Sequence, residues 1–111
     1  MQLTYAIKYV ADMDKAVAFH RDTLGLPLKF QSPEWSEFAT GDTTLALHPV
    51  TPGKAAGSVE LGFAHEDLGA FYAKRNDLGV EFTRAPAEMH GMHIAQIRDS
   101  EGAETSVSGL A

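Results

Sequence analysis

Residues 3–10 alternate large and small side chains at period two, the spacing of a strand with one face against a core. Asp12 then stands where a helix needs an N-cap, and Met13, Ala16, Val17, His20 and Leu24 recur at helical spacing. Gly25 follows, so the pattern predicts a helix over 13–23 that a left-handed glycine ends. Short β-type runs come next at 28–31, 35–39 and 44–48, separated by Ser32-Pro33 and Thr40-Gly41-Asp42, both turn-forming. This half reads βαβββ. The stretch 51–57, Thr-Pro-Gly-Lys-Ala-Ala-Gly, has the composition of a linker and falls at the midpoint of the chain.

After the linker the pattern starts again. A strand over 59–64, Asp67 as cap, an amphipathic helix over 68–78 and Gly79 as its stop precede strands at 81–84, 93–98 and 103–108, with Asp99-Ser100-Glu101-Gly102 as the last hairpin turn. Val10-Ala11-Asp12-Met13 matches His65-Glu66-Asp67-Leu68 at a spacing of 55, and Leu24-Gly25-Leu26 matches Leu78-Gly79-Val80 at 54. A period near half the chain implies two similar units in tandem.

The chain has 111 residues, 44% hydrophobic and 22% charged, enough for one domain with a core and too few for two independent ones. It has no cysteine, which excludes disulfide frameworks, thiolate metal sites and thiol nucleophiles. The start has no secretory pattern and no apolar run approaches the ~20 residues that span a bilayer. A cytoplasmic location is the expectation. Nine Lys and Arg are scattered along a chain of net charge −6, which argues against nucleic acid as partner.

Tyr9-Val10-Ala11-Asp12-Met13 and Ala18-Phe19-His20-Arg21-Asp22-Thr23-Leu24-Gly25 resemble the opening "V-x-D…F-Y-R-D-x-L-G" of the vicinal oxygen chelate superfamily, which holds the glyoxalase, bleomycin-resistance and extradiol dioxygenase families. In the second half Glu66-Asp67-Leu68, Gly79-Val80-Glu81-Phe82 and Arg98-Asp99-Ser100-Glu101-Gly102 resemble "D-D-L", "G-V-E-F" and "R-D-P-D-G". The resemblance spans nearly the whole chain. It implies an α+β fold of two βαβββ modules, about 1–52 and 58–111, forming a cupped eight-stranded mixed sheet with helices on the outer face and a small molecule held between the halves. It also implies a homodimer.

Metal-using members of that superfamily take one ligand from each of four strands. Those positions fall here on Tyr5, Ala46, Glu60 and Ser106, where the family has His or Gln, Glu, His and Glu. A transition metal needs three or four converging His or carboxylate groups, and this set supplies one. The expectation is no metal and no cofactor. A relocated site through His48, Glu60 and Glu104 is the alternative, since His48 and Glu104 lie two residues from Ala46 and Ser106 and share their faces.

If the four positions mark the concave face, alternation adds Ile7, Tyr9, His48, Gly62, Ala64 and Ser108, and leaves Leu45, Leu47, Leu61, Phe63 and Val107 for the helices to cover. Lys8 falls on that covered face and has to snorkel to its edge. The ligand-binding candidates are Tyr5, Ile7, Tyr9, Trp35, His48, Glu60, His93 and Ser106, with His90 beside His93. Glu60, the best candidate acid or base, should be raised in pKa or paired with a cationic guest or a His. Its structural alternative is a hydrogen bond to Tyr5 or His48. His20 reads as packing and His65 as an exposed loop residue.

The function these readings favour is a glyoxalase/bleomycin-resistance-like binding protein that sequesters or carries a small aromatic or cationic molecule without the usual metal. The alternatives are a metal-dependent lyase, isomerase or dioxygenase with a relocated site, and a non-enzymatic accessory protein in a complex.

Overall fold

The computed structural model describes residues 1–89 and 91–109. Eight strands and three short helices follow one another as β1 (Gln2–Val10), α1 (Met13–Ala18), β2 (Leu28–Phe30), β3 (Ser36–Ala39), β4 (Thr44–Pro49), β5 (Val59–His65), α2 (Leu68–Ala73), α3 (Arg75–Leu78), β6 (Phe82–Met89), β7 (Met92–Arg98) and β8 (Glu104–Gly109). The chain divides into two compact units, Thr4–Glu60 and Met1–Leu3 together with the chain from Leu61 onward. The division falls at residue 60, just beyond the linker read at 51–57.

In the first unit the strand order is β2-β3-β4-β1, with β4 parallel to β1 and antiparallel to β3. In the second the order is β6-β7-β8-β5, again with the last strand parallel to the first and antiparallel to its predecessor. The repeat counted in the sequence is therefore a repeat of topology, and the α+β, mixed eight-strand class holds.

The starts of α1 and α2 rest on the caps expected of them. Asp12 accepts from the Lys15 backbone N–H at 3.1 Å, and Asp67 accepts from that of Ala70 at 2.9 Å. Gly25 and Gly79 close their helices at φ of 72° and 68°, a region side chains resist. Beyond Ala18 the first helix widens into a π-turn over Phe19–Thr23, the Leu24 N–H reaching back to the Phe19 carbonyl.

Three expectations about the elements are corrected. The helix read over 68–78 breaks at Lys74, whose N–H is shared between the Ala70 and Phe71 carbonyls at 3.2 Å before α3 begins. The strand read over 81–84 runs on to Met89. Pro86 cannot donate to a ladder, but β6 is the last strand in its unit's order and the register shifts between Arg84 and Ala87, so the missing N–H is tolerated. His65 is the end of β5 and not an exposed loop: its ring stacks on Phe71 and its Nδ1 accepts the Asp67 N–H at 2.9 Å.

Beneath the helices sit separate cores. Val17 of α1 packs with Phe38 and Leu47, joined by Val10, Met13, Leu28 and Leu45. In the second unit Leu68 packs with Ala95 and Val107, joined by Phe71, Phe82 and Ile97. Leu47, Leu45 and Val107 are thus on covered faces as alternation required, while Leu61 is 43% exposed, against expectation.

Candidate functional site

On β1 the side chains opposite to the α1 core are Tyr5, Ile7 and Tyr9. Parallel pairing sets Ile7 beside Ala46 and Tyr9 beside His48, and antiparallel pairing sets Glu37 of β3 across from Ala46. Ile7, Tyr9 and Ala46 are buried there, with Tyr5 and Trp35 packed against them. The rings meet edge to face: Tyr5 and Trp35 at 5.9 Å between centroids, Trp35 and His48 at 6.2 Å, with His48 tilted on Tyr9 at 5.1 Å. One face of the first unit thus carries four contiguous aromatic rings. The His48 Nδ1 N–H donates to the Pro49 carbonyl at 2.7 Å, so in the neutral ring Nε2 is the acceptor.

Two carboxylates border these rings. Glu37 Oε2 accepts from the Trp35 indole N–H at 2.7 Å and from the Tyr5 hydroxyl at 3.4 Å, and its other oxygen lies 3.4 Å from Lys29 Nζ. These bonds hold the Trp35 ring in place. Glu60, only 3% exposed, accepts from Lys54 Nζ at 2.8 Å and, more weakly, from the Tyr9 hydroxyl at 3.5 Å.

Lys54 arrives from the linker. A turn closed by the Lys54 N–H on the Thr51 carbonyl at 2.9 Å, with Gly53 at φ 83°, brings it round. Gly57 then donates to Tyr9 and Tyr9 to Ser58, which lays the linker along β1 and aims the lysine at Glu60. Sequence reasoning missed Lys54 and Glu37. Glu37 had a signal, since it is two residues from Trp35 and so shares its face. A turn has no period, and Lys54 had none.

Burial raises the Tyr5 pKa above the ordinary 10.0, and the Glu37 charge and hydrogen bond push in the same direction. The folded chain therefore holds this proton when the unfolded chain has released it. The associated stability is complete below pH 10 and is lost as the pH climbs through the folded value. Subtracting the phenolate absorbance titration of Tyr5→Phe from that of the wild type is expected to leave one phenol that ionises above pH 10; ionisation at or below it would contradict the placement.

The four positions that hold a metal in the superfamily do not fit one here. Ala46 has no donor atom and is fully buried, the Tyr5 hydroxyl is turned to Glu37, and an ammonium already sits on the Glu60 carboxylate. Ser106 is half-buried on β8 in the second unit, paired with Gly62 and Gln96. Of the relocated set, His48 directs Nδ1 to Pro49, Glu60 faces Lys54, and Glu104 accepts from the Thr83 hydroxyl at 2.7 Å. Among the described residues no three His, Cys, Asp or Glu stand close enough to share an ion.

Of the residues singled out in the sequence, Tyr5, Ile7, Tyr9, Trp35, His48 and Glu60 come together in the first unit. His93 is half-buried on β7 opposite Glu88, within the second unit, and His90 lies outside the described residues. His20 packs as expected, its ring 5.6 Å from that of Phe38 and its Nδ1 donating to the Ala16 carbonyl. A separate groove of about 450 Å³ opens at the start of α1 between Asp12, Met13, Asp14, Gln31, Ser32 and Pro33. It has no aromatic lining, and its polar groups serve each other, Gln31 donating to Asp14 and Asp12 capping the helix.

Residues 2–107 match the family model of the Glyoxalase/Bleomycin resistance protein/Dioxygenase superfamily. The uncharacterised protein YetH of Bacillus subtilis (strain 168) is 28% identical over 103 residues, 85% of this chain and 86% of YetH. Among solved structures, methylmalonyl-CoA epimerase from Mycobacterium tuberculosis superposes with a TM-score of 0.81 at 17% identity, over 99% of this chain and 88% of that one. A glyoxalase/bleomycin resistance protein/dioxygenase superfamily member from Vibrio splendidus 12B01 gives 0.76 at 14%, over 95% and 96%. At such identities the likeness is one of fold.

Proposed function

Because the chain belongs to the Glyoxalase/Bleomycin resistance protein/Dioxygenase superfamily, we propose that it binds a small planar aromatic molecule, sequestering or carrying it, without that superfamily's usual metal centre. The observation that carries this reading is the face of Tyr5, Tyr9, Trp35 and His48, whose rings touch in series and offer a stacking surface with hydrogen-bonding edges. The donor set described above speaks against a metal: one carboxylate, already paired with a lysine, cannot polarise vicinal oxygens through a cation.

Trp35 is the one tryptophan in the sequence, so selectively excited tryptophan fluorescence reports on this face alone. Titration with a panel of planar aromatics is expected to give saturable quenching for at least one compound. The same compound should raise the melting temperature of the wild type and not that of Trp35→Ala. Absence of quenching and of thermal shift across the panel would overturn the reading.

The second reading, a lyase, isomerase or dioxygenase with a relocated metal, draws on the likeness of fold to methylmalonyl-CoA epimerases. Elemental analysis of protein purified without chelator separates the two. A stoichiometric transition metal would favour the enzyme.

A further inference from the structure

A carboxylate as buried as Glu60 requires a positive partner, because its hydration is gone and little in an apolar setting replaces it. In a metal-binding site the ion supplies that charge. Here the chain supplies it: Lys54 Nζ lies 2.8 Å from Glu60 Oε1, with its side chain only 21% exposed. The same ammonium stands 5.8 Å from the centre of the Tyr9 ring. An incoming organic cation would seek a carboxylate and an aromatic face together, and Lys54 engages both at once.

We propose that Lys54 is the specificity-determining residue of this face, a built-in cation that takes the place of a metal on Glu60 and excludes metal ions and organic cations alike. The proposal rests on the binding reading above and narrows it. The guest is an uncharged or anionic planar aromatic, and the cationic guest that Glu60 suggested in the sequence is turned away. A cation approaching Glu60 meets a like charge one hydrogen bond from the same oxygen, and displacing the lysine takes that ammonium off the carboxylate and away from the Tyr9 ring. Exclusion is therefore electrostatic.

The test uses calorimetry with Ni²⁺, benzylammonium and benzoate, probes that share a charge or a ring. The wild type is expected to take up neither cation. Lys54→Met keeps an unbranched side chain one atom shorter and removes the charge, and should bind benzylammonium roughly tenfold more tightly than the wild type or better. In Lys54→Met/Glu60→Gln that gain should vanish. Glu60→Gln alone leaves the ammonium without its carboxylate and should favour benzoate by a similar factor, roughly tenfold.

Wild-type binding of either cation as tight as that of Lys54→Met would overturn the proposal, as would a gain that persists in the double variant. Should Lys54→Met fail to fold, Glu60→Gln decides, and no gain for benzoate refutes it. None of these measurements uses the natural guest. If the aromatic panel shows no quenching while Lys54→Met acquires cations, the binding reading falls and the role of Lys54 stands.

Discussion

Gly109→Ala is expected to melt far below the wild type. Gly109 ends β8, where it pairs with His65 of β5 on one side and His93 of β7 on the other. A Cβ built on it runs into the His65 carbonyl oxygen and meets Leu68 Cβ at 3.4 Å. Neither neighbour yields cheaply. The carbonyl belongs to the backbone at the end of β5, and two residues later Asp67 caps α2. Leu68 is fully buried in the core of that unit. Overpacking against fixed backbone should cost about 3 kcal/mol or more. For a domain of this size that is roughly 15 °C in melting temperature, read by circular dichroism. Gly53→Ala provides the contrast: its φ of 83° strains any side chain, but the added Cβ meets nothing within 4 Å, so the loss should be clearly smaller. A Gly109→Ala protein as stable as Gly53→Ala would show that the β5–β8 pairing differs from the one described.

Leu47→Ala should be about as damaging, and it bears on the site. Leu47 is fully buried against Val17 and Phe38, under α1. Truncation removes transfer free energy and leaves a cavity the sheet cannot close, for about 3 kcal/mol. Leu78→Ala, a truncation of the same size at a position 55% exposed, should stay within about 0.5 kcal/mol in the same denaturant titration. Leu47 has Ala46 and His48 as chain neighbours, and both point the other way, into the aromatic face. The cavity would loosen the strand that carries His48, so Trp35 fluorescence in the folded variant should lose part of its response to any aromatic that quenches the wild type. Equal losses for Leu47→Ala and Leu78→Ala would mean that α1 does not cover β4 as described.

The features that sequence and structure share depend on neighbours along the chain. The alternation of Tyr5, Ile7 and Tyr9 against Ala6, Lys8 and Val10 set their face before any partner strand was known, because a strand's side chains alternate whatever lies beside it. Asp12 and Asp67 cap, and Gly25 and Gly79 stop, because capping is chemistry within a few residues of the chain. The break at Lys74 and the passage of β6 through Pro86 were not legible. The first is one residue's departure from helical geometry within an unbroken pattern. The second is permitted only by the outer position of β6 in its unit.

The sequence by itself determined the two βαβββ halves, their caps and stops, and that Ala46 and Ser106 carry neither imidazole nor carboxylate, since each is a matter of residue identity or local period. Tertiary structure alone decided what stands beside Glu60 and Trp35. Glu60 and Lys54 are six residues apart, yet nothing local aims one at the other: it takes the Thr51–Lys54 turn and the bonds of Gly57 and Ser58 to β1. Tyr5 joins Trp35 on Glu37 only because β3 pairs with β4 in the register that sets Glu37 against Ala46, and β4 with β1 in the one that sets Ala46 against Ile7. Strand register is chosen by the packing of whole faces, and the charge and shape of this face follow from that choice.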